Sequence, residues 1–172
     1  DIDENVIYHK LALTSSQIIS SVIENNLPYN DSLENHFSNI LLVPLFLPTA
    51  TAYENLKLTG TRILNNDSIR FDIIGLYERD YVFLKDVIDI ERVKMFNDLN
   101  GFYRKEFKSI EFFGKSHPVN FERLIKNQVY SNYVNYQKTI SKFILDRYDK
   151  TKERTDKLII NINLELDRLD WG

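Results

Sequence analysis

The amino-acid sequence predicts an all-α fold: an irregular antiparallel helical bundle with two long helical regions, near 68–110 and 120–170, behind shorter N-terminal helices. Three observations carry this. The 172 residues include only five Gly and four Pro, too few for a turn-dense β-sandwich. Apolar residues recur at three- and four-residue spacing over long stretches, as one face of a helix requires. The 43% hydrophobic and 13% aromatic content is enough for a packed core in one domain, taken as 1–172.

Residues 5–26 read as the first helix. Ile7, Leu11, Ile18 and Val22, with Ile19 or Ile23, fall near one face, and Ser15, Ser16, Ser20 and Ser21 suit its wet side. Leu27-Pro28 ends it, because the residue before proline is pushed out of the α region. Asn30-Asp31-Ser32 offers a cap for a shorter helix with Leu33, Phe37, Ile40 and Leu41, and Pro44 and Pro48 make 44–50 a rigid connection. Thr51-Ala52-Tyr53-Glu54 has the capping-box pattern, and Gly60 is placed to stop the helix it starts.

Asn65-Asn66-Asp67-Ser68 is a turn and cap signal. It precedes a stripe of Ile69, Ile73, Ile74, Tyr77, Tyr81, Leu84, Ile88, Val93, Phe96, Leu99, Tyr103, Phe107 and Ile110. A break is expected near 89–92 or at Gly101. Residues 112–118 read as a loop with Phe112 and Phe113 tucked against the core. Asn120 then caps a region carrying Phe121, Leu124, Ile125, Val129, Tyr133, Tyr136, Ile140, Phe143 and Ile144 and running on to Leu169. The alternation from Leu158 to Leu166 also matches a strand; helix is preferred because no partner strand is evident.

Composition excludes several activities. Net charge is −3, so no global field draws the domain to nucleic acid or to an anionic membrane surface. Residues 1–60 hold seven acids against two bases, leaving twenty bases and eighteen acids beyond, which reads as an acidic solvated face. Without cysteine there is no disulfide, thiolate-held metal or thiol nucleophile. No stretch approaches the roughly 20 apolar residues of a membrane span; the longest, Ile40–Leu47, is interrupted by Pro44. A start at Asp1 rather than Met points to a piece of something longer.

Chemistry-bearing motifs are scarce. His9, His36 and His117 form no metal-ligand spacing, and Glu34 and His36, two apart, point to different sides of a helix. No nucleophile elbow, dinucleotide fingerprint or phosphate loop occurs, so no cofactor and no metal are expected. The run Asp146–Lys157 mixes signs evenly and reads as a solvated face, with a phosphate-tracking patch as the remoter reading. Tyr130, Tyr133 and Tyr136, three residues apart, suit a half-buried seam first and a partner-binding face second. Asn30-Asp31-Ser32 and Asn66-Asp67-Ser68 match the glycosylation sequon but already serve as turn and cap.

The segment LPTATAYENLKLTGTRILNNDSIRFDIIGLYE carries a P-x-x-x-A-Y-E-x-L-K-x-x-G pattern followed by a capped helix, through Pro48, Ala52, Tyr53, Glu54, Leu56, Lys57, Gly60, Leu64, Arg70, Ile74 and Tyr77. It resembles a bacterial domain-of-unknown-function family of small single-pass membrane proteins with a helical extracytoplasmic region. Thr59 stands where Ser is usual there, and Ile69 where Leu is. The resemblance implies the soluble part of a protein anchored by an upstream transmembrane helix, on the periplasmic side of the inner membrane, with the cytoplasm as the alternative. A structural account of the motif has Tyr53 and Leu56 inward, Gly60 stopping the short helix and Arg70 reaching Glu54 or Tyr53.

The functional expectation is a non-enzymatic interaction or sensory module acting on an unidentified protein partner or on itself. The alternatives are an enzyme whose site forms only in three dimensions and a cytosolic scaffold or oligomerisation module.

Overall fold

The computed structural model describes residues 2–170 and is mostly helical. Its spine is α8, Gln128–Asp170, 43 residues long and therefore about 64 Å at the α-helical rise. Two other helical rods lie antiparallel to it. One is α1, Ile2–Glu24, aligned by Asp3 with Lys152, Asn5 with Tyr148 and Ser20 with Lys138. The other runs through α4 (Asp67–Gly75), α5 (Tyr81–Asp98) and α6 (Arg104–Glu106). It is aligned by Asp80 with Arg154 and Glu91 with Tyr136. The shorter α2 (Leu33–Asn39), α3 (Thr51–Thr59) and α7 (Phe121–Ile125) fill the gaps. The segment 158–166 is helix, and the predicted all-α bundle is what forms.

The α1 face differs from the expected one. Ile7 and Leu11 are exposed, whereas Ser15, Ser16 and Ser20 are buried together with Asn5, His9 and Ala12. Small side chains let α1 lie close against α8 on one side and α2 on the other. The hydroxyls are satisfied locally: Ser16 donates to the Ala12 carbonyl at 2.7 Å and Ser20 to Glu24 at 2.7 Å, while Ser15 meets His36 Nδ1 at 3.0 Å. A hydrophobicity count therefore places the wrong face inward. The helix ends in a Schellman arrangement, with Asn26 at φ 47° and the Leu27 amide bonded to the Val22 carbonyl at 3.0 Å.

The long second rod does not break at 89–92. Instead two π-bulges interrupt it, at Leu76–Asp80 and Leu99–Tyr103. Each inserts one residue and advances the buried stripe by one position. Leu76 is followed inward by Leu84 and Ile88, then Glu91 and Met95, then Tyr103. Val93 and Phe96, expected inside, are exposed. At Phe107 the backbone turns extended (φ −118°, ψ 139°) and begins β1, Phe107–Ser109, which pairs antiparallel with β2, His117–Pro118. The helix expected to reach Ile110 thus stops early, where Phe107 stacks on Tyr103 at 4.9 Å. Phe112 and Phe113 at the hairpin tip are exposed rather than tucked in, and Phe113 meets Tyr8 edge-on at 5.2 Å.

Caps set the other boundaries. Asn66 accepts from the Ile69 amide and Asn120 from the Arg123 amide. Asn127 restarts the chain as α8 by accepting from Val129 and Tyr130. The Thr51–Glu54 capping box does not form: Ala50 occupies the cap and Thr51 is already helical and exposed. Gly60, at φ 97°, ends α3 as expected. Apolar clusters follow one another along α8: Phe37, Leu124 and Tyr130 at its start, Leu84, Ile144 and Tyr148 midway, Ile69, Leu76 and Leu158 towards its end. Among the described residues no helix is long and apolar enough to cross a membrane.

Candidate functional site

Where the first π-bulge faces α8, the surface opens into a cleft of about 350 Å³ lined by Arg79, Asp80, Phe83, Arg147, Lys150, Thr151 and Arg154. The sequence builds it from both rods. On α8, Arg147, Lys150, Thr151 and Arg154 are spaced three, four and seven apart and so share one face. The bulge turns Arg79 and Asp80 towards that face, a common use of such insertions.

Three of the four cations are engaged. Arg154 donates to Asp80 at 2.7 Å and lies 3.5 Å from Asp72; Arg79 holds the other oxygen of Asp80 at 2.9 Å; Lys150 pairs with Asp146 at 2.7 Å. Arg147 differs. Its guanidinium lies over Phe83 and Phe143, 5.2 and 5.1 Å from their centroids, and forms no ion pair among the described residues. Its Nε is buried without a hydrogen-bond partner. Stacking covers the faces of a guanidinium and leaves its in-plane N–H groups to bind an anion. The run Asp146–Lys157 is thus only partly a solvated face. Its i,i+4 pairs Asp146–Lys150 and Glu153–Lys157 form at 2.7 and 2.6 Å, but Arg154 crosses to the other rod and Tyr148 and Thr151 are buried.

The tyrosine row divides. Tyr130 is fully buried, with Tyr103 and Phe107 around it. Tyr133 packs on the same cluster, its phenol pushed far up by burial. Tyr136 alone is at the surface, where its hydroxyl donates to buried Glu91 and meets Lys94 Nζ at 2.6 Å. The three therefore form a seam and no common exposed face.

The segment around Tyr53 is brought together differently from expectation. Tyr53 is buried and stacks on Tyr77 at 4.4 Å, and Lys57 bridges Glu54 at 3.6 Å and Glu78 at 3.5 Å. Burial, helped by the Glu78 carboxylate, pushes the Tyr53 phenol up to about 12. Leu56 is half-buried. Arg70 reaches neither Glu54 nor Tyr53; being one turn from its own helix start, it pairs with Asp67 at 2.6 Å and the Leu64 carbonyl at 3.1 Å. The tie between α3 and the long rod is aromatic.

Two polar clusters escaped the sequence reading. His9 is buried against Tyr148, its Nε2 lacks a partner, and burial lowers its pKa to about 4. Glu34 of α2 gathers Tyr29 at 2.6 Å, Lys115 at 3.0 Å and His117 at 3.2 Å, and His117 in turn meets Ser109 at 2.8 Å. These partners are 5 to 83 residues apart in sequence, so no local motif announces them. Glu34 and His36 do point to different sides, His36 towards Ser15. Among the described residues no group of three or more His, Asp or Glu side chains is arranged to hold a metal ion. Comparison with known proteins found nothing to place the chain: no family model matches it, and no curated protein or solved structure is similar to it.

Proposed function

We propose that the domain is a recognition module whose ligand presents an anionic group, phosphate or carboxylate, to the cleft between the first π-bulge and α8. The observation that carries this reading is Arg147, a guanidinium packed against two phenyl rings and forming no ion pair among the described residues, beside three paired cations. Such a group is pre-positioned for a bidentate anion and loses little freedom on binding. The cleft is larger than a bare oxyanion needs, which favours an organic anion. Asp80 and Asp72 hold Arg154 in place until a ligand competes for it.

The resemblance through Pro48–Tyr77 supports an extracytoplasmic setting in a membrane-tethered bacterial protein, with the module sensing its ligand or docking a partner that displays it. The test is a calorimetric titration with inorganic pyrophosphate at fixed ionic strength, in wild type and Arg147→Gln. Saturable binding that the substitution abolishes supports the reading; weak, non-saturating heat in both proteins contradicts it.

Self-association is a second reading. Ile159, Ile160, Leu164, Leu166 and Leu169 are exposed along the last turns of α8, an unusually apolar run for a free surface. A concentration-independent monomer in sedimentation would dismiss it.

A further inference from the structure

We propose that Ser109 is an activated nucleophile, with His117 as its general base and Glu34 orienting the imidazole, and that it accepts an acyl group from activated esters. The hairpin and α2 build the arrangement. Ser109 and His117 are cross-strand partners in the β1–β2 ladder, so their side chains share one face of the hairpin. The hairpin is fastened to α2 by the Ser116 amide on the Glu34 carbonyl at 3.0 Å and by the Ser38 hydroxyl on the Glu111 carbonyl. That fastening sets the Glu34 carboxylate against the far edge of the His117 ring.

The resulting chain is Ser109 Oγ to His117 Nδ1 at 2.8 Å and His117 Nε2 to Glu34 Oε1 at 3.2 Å. In the neutral imidazole one proton arrangement satisfies both contacts. Nε2–H donates to the carboxylate, and Nδ1 is left to accept from the serine hydroxyl. This is the logic of a serine–histidine–acid relay with the two ring nitrogens exchanged. Glu34 is almost fully buried, and the hydroxyl of Tyr29 and the ammonium of Lys115 hold its carboxyl below the usual range, so it stays ionised opposite the ring. His117 and Ser109 are both partly exposed, which leaves the hydroxyl open to a reagent.

The step balances within these groups. Ser109 Oγ attacks the acyl carbon as its proton passes to His117 Nδ1. The C–O bond to the leaving alcohol breaks, and the alcohol departs with that proton. Glu34 stabilises the imidazolium in between. Water, deprotonated by the same nitrogen, then releases the acid. The site shares no residue with the anion cleft, so either reading stands or falls alone.

The test treats the full chain with 4-nitrophenyl acetate and, separately, with a fluorophosphonate, and maps adducts by tandem mass spectrometry. The proposal expects the adduct on Ser109 ahead of all other serines. The rate should rise with pH and should fall about 100-fold in His117→Gln. Glu34→Gln should slow it by less than His117→Gln. Adducts scattered over several serines, or a labelling rate in the unaltered protein that is flat with pH, would overturn it without recourse to any variant.

Discussion

Arg154 lies so close against Gly75 that a methyl group there would fall 2.5 Å from its Nη2. The glycine sits in regular helix and needs no unusual backbone angle. Its value is the space it leaves for a guanidinium that bridges two aspartates of the same rod. Packing, charge and the π-bulge meet at this point, and α8 is held to the long rod through it.

Gly75→Ala separates fold from cleft. Alanine is the better helix former by about 1 kcal/mol, and the atom it displaces is the end of a flexible side chain. Thermal stability should change by less than about 1 kcal/mol in either direction, while anion affinity falls because the Arg154 guanidinium is displaced from its place beside Asp72 and Asp80 at the cleft. Calorimetric titration and a melting curve on one sample check both.

His9 should make the fold acid-sensitive. Its pKa is lowered by burial from 6.5 to about 4, so the folded state binds the proton less readily than the unfolded chain. Stability is then full above the unfolded value and falls as pH drops from about 6.5 towards 4, by about 3 kcal/mol in all. Urea melts at pH 7 and pH 4.5 should show the loss in wild type, and His9→Gln should remove most of the difference between them.

Overpacking α1 tests its unexpected face. Ser16 is fully buried, so Ser16→Leu should destabilise the fold by about 1–3 kcal/mol. Ile7→Ser, on the exposed side, should change stability by less than about 0.5 kcal/mol. A pattern-based assignment expects the reverse order.

The aromatic tie of α3 gives a similar contrast. Tyr77→Ala removes the ring stacked on Tyr53 and should cost at least about 1.5 kcal/mol, the upper range of such a pair beyond its buried area. Arg70→Ala breaks an ion pair to a solvent-exposed Asp67 and a hydrogen bond to the Leu64 carbonyl, both local to its own helix start, and should cost less than that, about 1 kcal/mol. Chemical denaturation distinguishes them.

The helices, the caps at Asn66 and Asn120 and the stop at Gly60 were legible because each depends on residues within one turn of one another. What failed depends on distance. Nothing near Ser15 or Ser16 says that another helix requires small side chains there. Gly101 marked the irregularity at Leu99–Tyr103, but nothing near Gly75 says that an inserted residue will re-phase the stripe and turn Val93 and Phe96 outward. Phe107 leaves the helix because its ring completes a cluster with Tyr103 and Tyr130, residues on two rods.

The cleft was half legible. Arg147, Lys150 and Arg154 share one helical face, which a search for basic residues three and seven apart would have marked. Even signs along the run concealed them, because the acids between point elsewhere. That Arg147 packs on a ring instead of forming an ion pair depends on Phe83, 64 residues away.

The most direct measurement is pyrophosphate binding followed by the NMR signal of the Arg147 Nε–H at constant ionic strength. The account predicts a saturable shift of that resonance and its absence in Arg147→Gln, with the remaining amide spectrum unchanged. A resonance that stays fixed while pyrophosphate shifts scattered surface lysines would contradict it, and the cleft would then be only a buttress between two helices.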